Sequence, residues 1–224
     1  MTSRLLGPLM LTSLLLSTPA MGAESSSTLD DTLQTFVGKT YYYGVPYKQA
    51  HELGPRAVPT LTRLLQSDAS KGDWENIVGT IAYIGSPECF EPLRAFVQDR
   101  FKGEVDIETF QALIDAQISM GPAARHSAAG VEFLERGANP ANWSGLQWTY
   151  RHYKGDLRGL LWSRLSITAL SHTGSARAGV ILTDLNRHPY SEKQRDAITE
   201  GLARHQEISL VGVERYVEDH AAEK

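Results

Sequence analysis

A recurring break, glycine followed by proline or serine, divides this chain into apolar runs of helical spacing. In WENIVGTIAYIGSPECFEPLRAFV, residues 74–97, Trp74, Ile77, Val78, Ile81 and Ile84 share one helix face. Phe90, Leu93, Phe96 and Val97 share another. Asp73 is placed to cap the first helix and Glu75 to complement its dipole. Gly85 fits the left-handed position that closes a helix. Ser86 is then placed to cap the second helix, with Pro87 in its first turn. Such a hairpin buries one side of each helix and leaves an apolar edge that needs a neighbour.

Neighbours are present on both sides. Upstream, AHELGPRAVPTLTRLLQ repeats the plan around Gly54-Pro55, with Val58, Leu61, Leu64 and Leu65 matching Phe90, Leu93, Phe96 and Val97. Downstream, a third unit is expected to start at an Asp106 cap and break at Gly121-Pro122, and a fourth to break at Gly174-Ser175. A fifth opens with the capping box Ser191/Gln194, and its break is expected near Gln206. The breaks lie about 31, 36, 53 and 32 residues apart, so a single interval departs from the rhythm. That interval holds residues 137–156, which read as an insertion. The expected fold is all-α, a right-handed α-solenoid of about five helical hairpins with one mid-array insertion. Its expected limits are 48–224, behind an N-terminal segment of residues 24–47.

No T-P-L-H or W-x-x-L-G-x-x-Y signature occurs, which sets aside ankyrin and tetratricopeptide units. ELGPRAVPTLTRLL and TIAYIGSPECFEPLRAFV resemble HEAT-like repeats, in particular the short HEAT-like units of bacterial proteins of the phycobilisome-lyase-like type. The resemblance covers about residues 46–220. It implies a helical binding scaffold, and families of this kind are mostly not enzymes.

Residues 1–23 have the form of a secretory signal peptide. Arg4 is the basic residue, Leu5 to Leu16 the apolar run, and Ala20-Met21-Gly22-Ala23 the small-residue cleavage region. The apolar run is shorter than the ~18 residues a membrane span needs, so export as a soluble periplasmic or secreted protein, without a span after cleavage, is expected. The formal charge is −4, and the leader carries a single Arg and no acid. A mildly acidic chain without basic blocks argues against nucleic acid as partner. The single cysteine, Cys89, cannot form an intramolecular disulfide and is expected as a small buried hydrophobe.

The seven histidines form no H-E-x-x-H and no i, i+4 pair, so neither a metal site nor a cofactor is expected. His172 and His205 are expected near the ends of first helices, complementing the dipole. There is no G-x-S-x-G elbow and no glycine-rich phosphate loop. No catalytic residue is assigned.

The insertion GANPANWSGLQWTYRHYKGD concentrates aromatic residues in a chain that is 8% aromatic overall. Trp143, Trp148, Tyr150, Arg151 and Tyr153 are therefore the expected binding residues, because Trp, Tyr and Arg combine large contact area with a polar handle. The alternative is a lid whose rings pack onto the side of the array. Tyr41, Tyr42, Tyr43 and Tyr47 are expected to cap its open end. The expected function is a non-enzymatic binding or scaffold protein recognising a protein, a peptide or an envelope glycan. The alternative is a solenoid enzyme of lyase-like type with a dispersed active site.

Overall fold

The computed structural model describes residues 23–42 and 44–221; residues 1–22 of the expected leader, and Tyr43, lie outside them. The described chain is all-α. Its helices are α1 (Ala23–Val37), α2 (Tyr47–Leu53), α3 (Val58–Leu65), α4 (Trp74–Ile84), α5 (Phe90–Gln98), α6 (Ile107–Ala124), α7 (Ala128–Gly137), α8 (Gly155–His172), α9 (Ala176–Arg187), α10 (Arg195–Val211) and α11 (Val213–Ala221). Short 3-10 turns precede several of them. Among the described residues, no helix is long and apolar enough to cross a membrane.

The even-numbered helices α2, α4, α6, α8 and α10 pack side by side in a first row, each against the next. The helices α3, α5, α7 and α9 form a second row, each packed on the first-row helix that follows it. The expected faces supply the contacts: Ile77, Ile81, Leu93, Leu113, Leu134 and Ile167 are fully buried. Cys89 is buried among them, and desolvation pushes its thiol pKa up. Helix α1 covers the beginning of the array with Leu33, Phe36 and Val37. The tyrosines contribute unevenly to that end. Tyr41 donates to the Phe36 carbonyl at 2.9 Å and Tyr47 packs edge-on to Tyr83, but Tyr42 is 90% exposed and caps nothing.

Helix breaks follow the glycines where a left-handed residue is required. Gly54 (φ 64°), Gly85 (φ 61°) and Gly174 (φ 60°) each end a helix as expected. Two expected breaks are corrected. Helix α6 runs through Gly121-Pro122 to Ala124, and the turn falls at residues 125–127, where Ser127 caps α7 by accepting from the Gly130 amide. Gly121 serves close packing instead: a Cβ there would meet the Ala169 carbonyl of α8 at 2.3 Å. Helix α10 likewise passes through Gln206 and stops only at Gly212, φ 88°.

Capping is also more selective than the residue types suggest. Asp106 accepts from the Thr109 amide and the Ser191/Gln194 box is formed. Neither Asp73 nor Ser86 makes a side-chain cap, because a 3-10 turn ends at Asp73 and another begins just after Ser86. His205 is not at a helix end. It lies in mid-α10, its Nε2 where a Cβ on Gly179 would sit at 2.6 Å, and desolvation lowers its pKa.

Candidate functional site

The insertion leaves α7, makes a 3-10 turn (Pro140–Trp143) and returns as a two-residue strand, β2 (Trp148–Thr149). This pairs in parallel with β1 (Gly103–Glu104), with Gly103 opposite Trp148 and Glu104 opposite Thr149. The strand pulls the aromatic side chains inward. Trp143 is 2% exposed, Trp148 0% and Tyr150 5%. Trp148 donates its indole N–H to the Val97 carbonyl of α5 at 2.9 Å and meets Trp162 edge-on. Tyr150 stacks on Phe110 of α6 with ring centroids 4.1 Å apart. Arg158, itself buried, donates to the Trp148 carbonyl and to the Ser144 carbonyl, tying both ends of the loop to α8.

Of the five expected binding residues, Trp143, Trp148 and Tyr150 are thus buried, Tyr153 is half-buried and Arg151 is exposed. These rings pack onto the side of the array, as the lid alternative describes, since indoles and phenols release more free energy by leaving water than by facing it. The loop also splits its aromatic residues between two places. Tyr150 and half-buried Tyr153 lie against Phe110, with the exposed Arg151 guanidinium 5.0 Å from the centre of the Tyr150 ring. Arg151 holds a left-handed backbone (φ 45°), a conformation non-glycine residues adopt at a cost. Trp143 points the other way, toward α5 and α7.

There, Trp143 forms the floor of a cleft of about 470 Å³ between the two second-row helices. The floor is a ladder of rings: Phe90 meets Phe133 edge-on at 5.7 Å, and Phe133 meets Trp143 at 6.1 Å. Local structure makes this possible. Trp143 donates to the Gly137 carbonyl at 2.6 Å, and a Cβ on Gly137 would stand 2.6 Å from Ser166 Oγ and 3.0 Å from the indole. Glycine at the end of α7 thus lets the ring slide under that helix.

The rim is polar. Arg94 is positioned by Glu91 at 2.8 Å and by Gln98 at 3.0 Å; Asn142 is positioned by the Arg136 carbonyl at 2.7 Å. Arg136 extends into solvent, with Glu132 3.8 Å away. One carboxylate and two guanidiniums line the cleft, so it presents a net positive edge above an apolar floor, the arrangement of a ligand pocket with a few orienting polar groups. Of the expected binding residues, only Trp143 belongs to it. Arg94, Phe133 and Arg136 carry no signal in the sequence, since they meet only when successive second-row helices are set in register. Among the described residues, no three of His, Cys, Asp or Glu come together at metal-ligating distance.

Comparison with protein-family models, with curated proteins and with solved structures found no match.

Proposed function

We propose that this chain is a non-enzymatic binding protein of an exported compartment, a HEAT-like helical array whose α5/α7 cleft takes an extended peptide segment of a partner protein. The observation that carries the reading is the ring ladder Phe90–Phe133–Trp143 beneath the side-chain amides of Gln98 and Asn142. Amides offer both donor and acceptor, which suits peptide groups, and the aromatic floor suits apolar side chains spaced along a strand. Arg94 and Arg136 favour acidic residues flanking that segment. The HEAT-like reading rests on the two-row packing and on the left-handed glycines at Gly54, Gly85 and Gly174. The exported compartment rests on the sequence pattern of residues 1–23.

Site-specific photo-cross-linking tests it. A cross-linking amino acid at Arg136 should capture a defined partner segment from envelope extract, and the same group at Glu200 on α10 should not. Phe133→Ala in the Arg136 cross-linker background should reduce capture by about tenfold, the loss expected of a central interface aromatic. Equal capture from the two positions, or full capture by the Phe133→Ala protein, refutes the cleft as the site.

A further inference from the structure

Helix α11 is nine residues long, about 13 Å, yet it contacts both α2 and α10, the first and last helices of the first row. It also reaches the helices between. Glu214 pairs with Arg125 at the end of α6, the Tyr216 ring lies 6.1 Å from His172 at the end of α8, and Val213 packs over Gly174. The C-terminal ends of α4, α6, α8 and α10 and the Tyr47–His51 face of α2 therefore converge on one groove, and α11 lies in it.

Three properties of α11 bear on its place in the groove. First, it fits: the void left under it, between Tyr47, Ile84, Pro122 and Val217, is only about 20 Å³, against about 470 Å³ in the α5/α7 cleft. Second, it is lightly held. Val213, 9% exposed, is its single buried side chain, and Tyr216, Val217 and Glu218 are half-buried. Helices with few buried contacts open at a small fraction of the global unfolding free energy. Third, its attachment is one residue, Gly212, whose positive φ lets α11 turn back sharply from α10.

The contacts also define a recognition code. Val213, Tyr216 and Val217, at i, i+3 and i+4, face the groove, and Glu214 and Glu218 flank them. Lys48 of α2 meets Glu218 at 3.0 Å and Arg125 meets Glu214, so the groove supplies the cations and the helix supplies the acids. Of the other pairs of α11, Arg215 with Asp219 is internal and exposed, and His220 lies 4.0 Å from Glu207 of α10, outside the groove-facing set.

We propose that this groove is a docking site for an acidic amphipathic helix of a partner protein, and that α11 is its resident, displaceable occupant. The partner helix carries the pattern apolar–acid–x–aromatic–apolar–acid, as residues 213–218 do. Binding is then helix-in-groove, with anchors at i, i+3 and i+4. α11 lowers the apparent affinity by keeping the groove filled, and a partner binds as α11 lifts on Gly212. This surface is independent of the α5/α7 cleft, which lies on the second row.

The test is fluorescence anisotropy on the full chain with a labelled, helix-stapled peptide of residues 213–221. Glu214→Lys weakens α11 and leaves the groove intact, so peptide affinity should rise about five- to tenfold over wild type. Glu218→Lys, at the periphery of the contact, should do the same and keeps the test independent of any folding defect at Glu214, which circular dichroism checks. Arg125→Glu weakens α11 and the wild-type peptide alike and should leave that peptide's affinity near wild type, whereas a Glu214→Lys peptide should bind Arg125→Glu at least tenfold more tightly than it binds wild type. A peptide with Lys at both acidic positions should not bind wild type. A gain in the α11 variants together with that charge exchange is what a merely structural helix would not give. Unchanged or reduced affinity in both α11 variants, or no gain of the Glu214→Lys peptide on Arg125→Glu, overturns the proposal.

Discussion

Replacing Trp148 by alanine separates a packing role from a recognition role at the centre of the insertion. The side chain is fully buried, meets Trp162 edge-on at 5.3 Å and donates to the Val97 carbonyl. Truncating a buried Trp to Ala costs about 3–5 kcal/mol when the site cannot collapse. Here Trp162, the Val97 helix end and the strand pairing at Gly103 hold the walls apart. The Val97 carbonyl also loses its donor, which adds about 1 kcal/mol, less if water reaches it. A total of about 4 kcal/mol, the low end of that sum, is roughly a quarter to four-fifths of the ~5–15 kcal/mol that keeps a typical domain folded. For a chain of this length each kcal/mol moves Tm by roughly 2–4 °C, so Trp148→Ala should lower it by about 8–16 °C. Trp148→Phe keeps most of the ring and loses the N–H, and should cost about 1–2 kcal/mol. Circular dichroism melts, with urea titrations to confirm that m is unchanged, measure both. A Tm for Trp148→Ala within about 2 °C of wild type would refute the argument, whatever that variant does to ligand binding.

Ile81→Asp places an unpaired carboxylate at a fully buried position of α4 and should abolish a cooperative melt at neutral pH; wild-type-like unfolding would contradict the packing of α4 between α2 and α6. Gly121→Ala drives a methyl to 2.3 Å from the Ala169 carbonyl and should destabilise by about 1–3 kcal/mol in urea, whereas Gly145→Ala, with open space around it, should be neutral. Asp106 is held down to about 2 by its hydrogen bond from Lys71, with the Thr109 amide adding to the effect. Because its folded pKa lies below the unfolded value, its contribution is fully present above about pH 4 and is lost as pH falls toward 2. Asp106→Asn should therefore flatten the stability–pH curve in that window alone, and an unchanged slope in urea titrations at pH 2–4 would count against the pairing.

The hairpin at Gly85 could be read directly, because its information is local: a left-handed glycine, a proline in the next turn and two apolar faces at helical spacing. Gly121-Pro122 carries the same residues and means something else. What decides there is the approach of α8, whose Ala169 carbonyl occupies the space of a side chain, and no feature near residue 121 announces it. The insertion shows a related limit. Its aromatic richness was visible, but the direction of each ring depends on a two-residue ladder to Gly103, more than forty positions away. Composition cannot distinguish an exposed Trp from one whose indole finds a helix-end carbonyl. Arg94, Phe133 and Arg136 of the cleft escaped notice for the same reason, since each is unremarkable on its own helix. The groove under α11 was hidden by the expectation of a break near Gln206, which obscured the hinge at Gly212.

The contact of α11 with α2 joins the start of the array to its end. A linear stack can form unit by unit, each new hairpin settling on the last as the chain lengthens. Here the partner of Lys48, Glu218, lies about 170 residues further on, and closing a loop that long carries an entropic cost that local contacts avoid. Helix α2 therefore waits for about 160 further residues before its groove is filled. During synthesis α2 spends that time with an apolar, basic furrow open, and the arrival of residues 213–221 ends the interval.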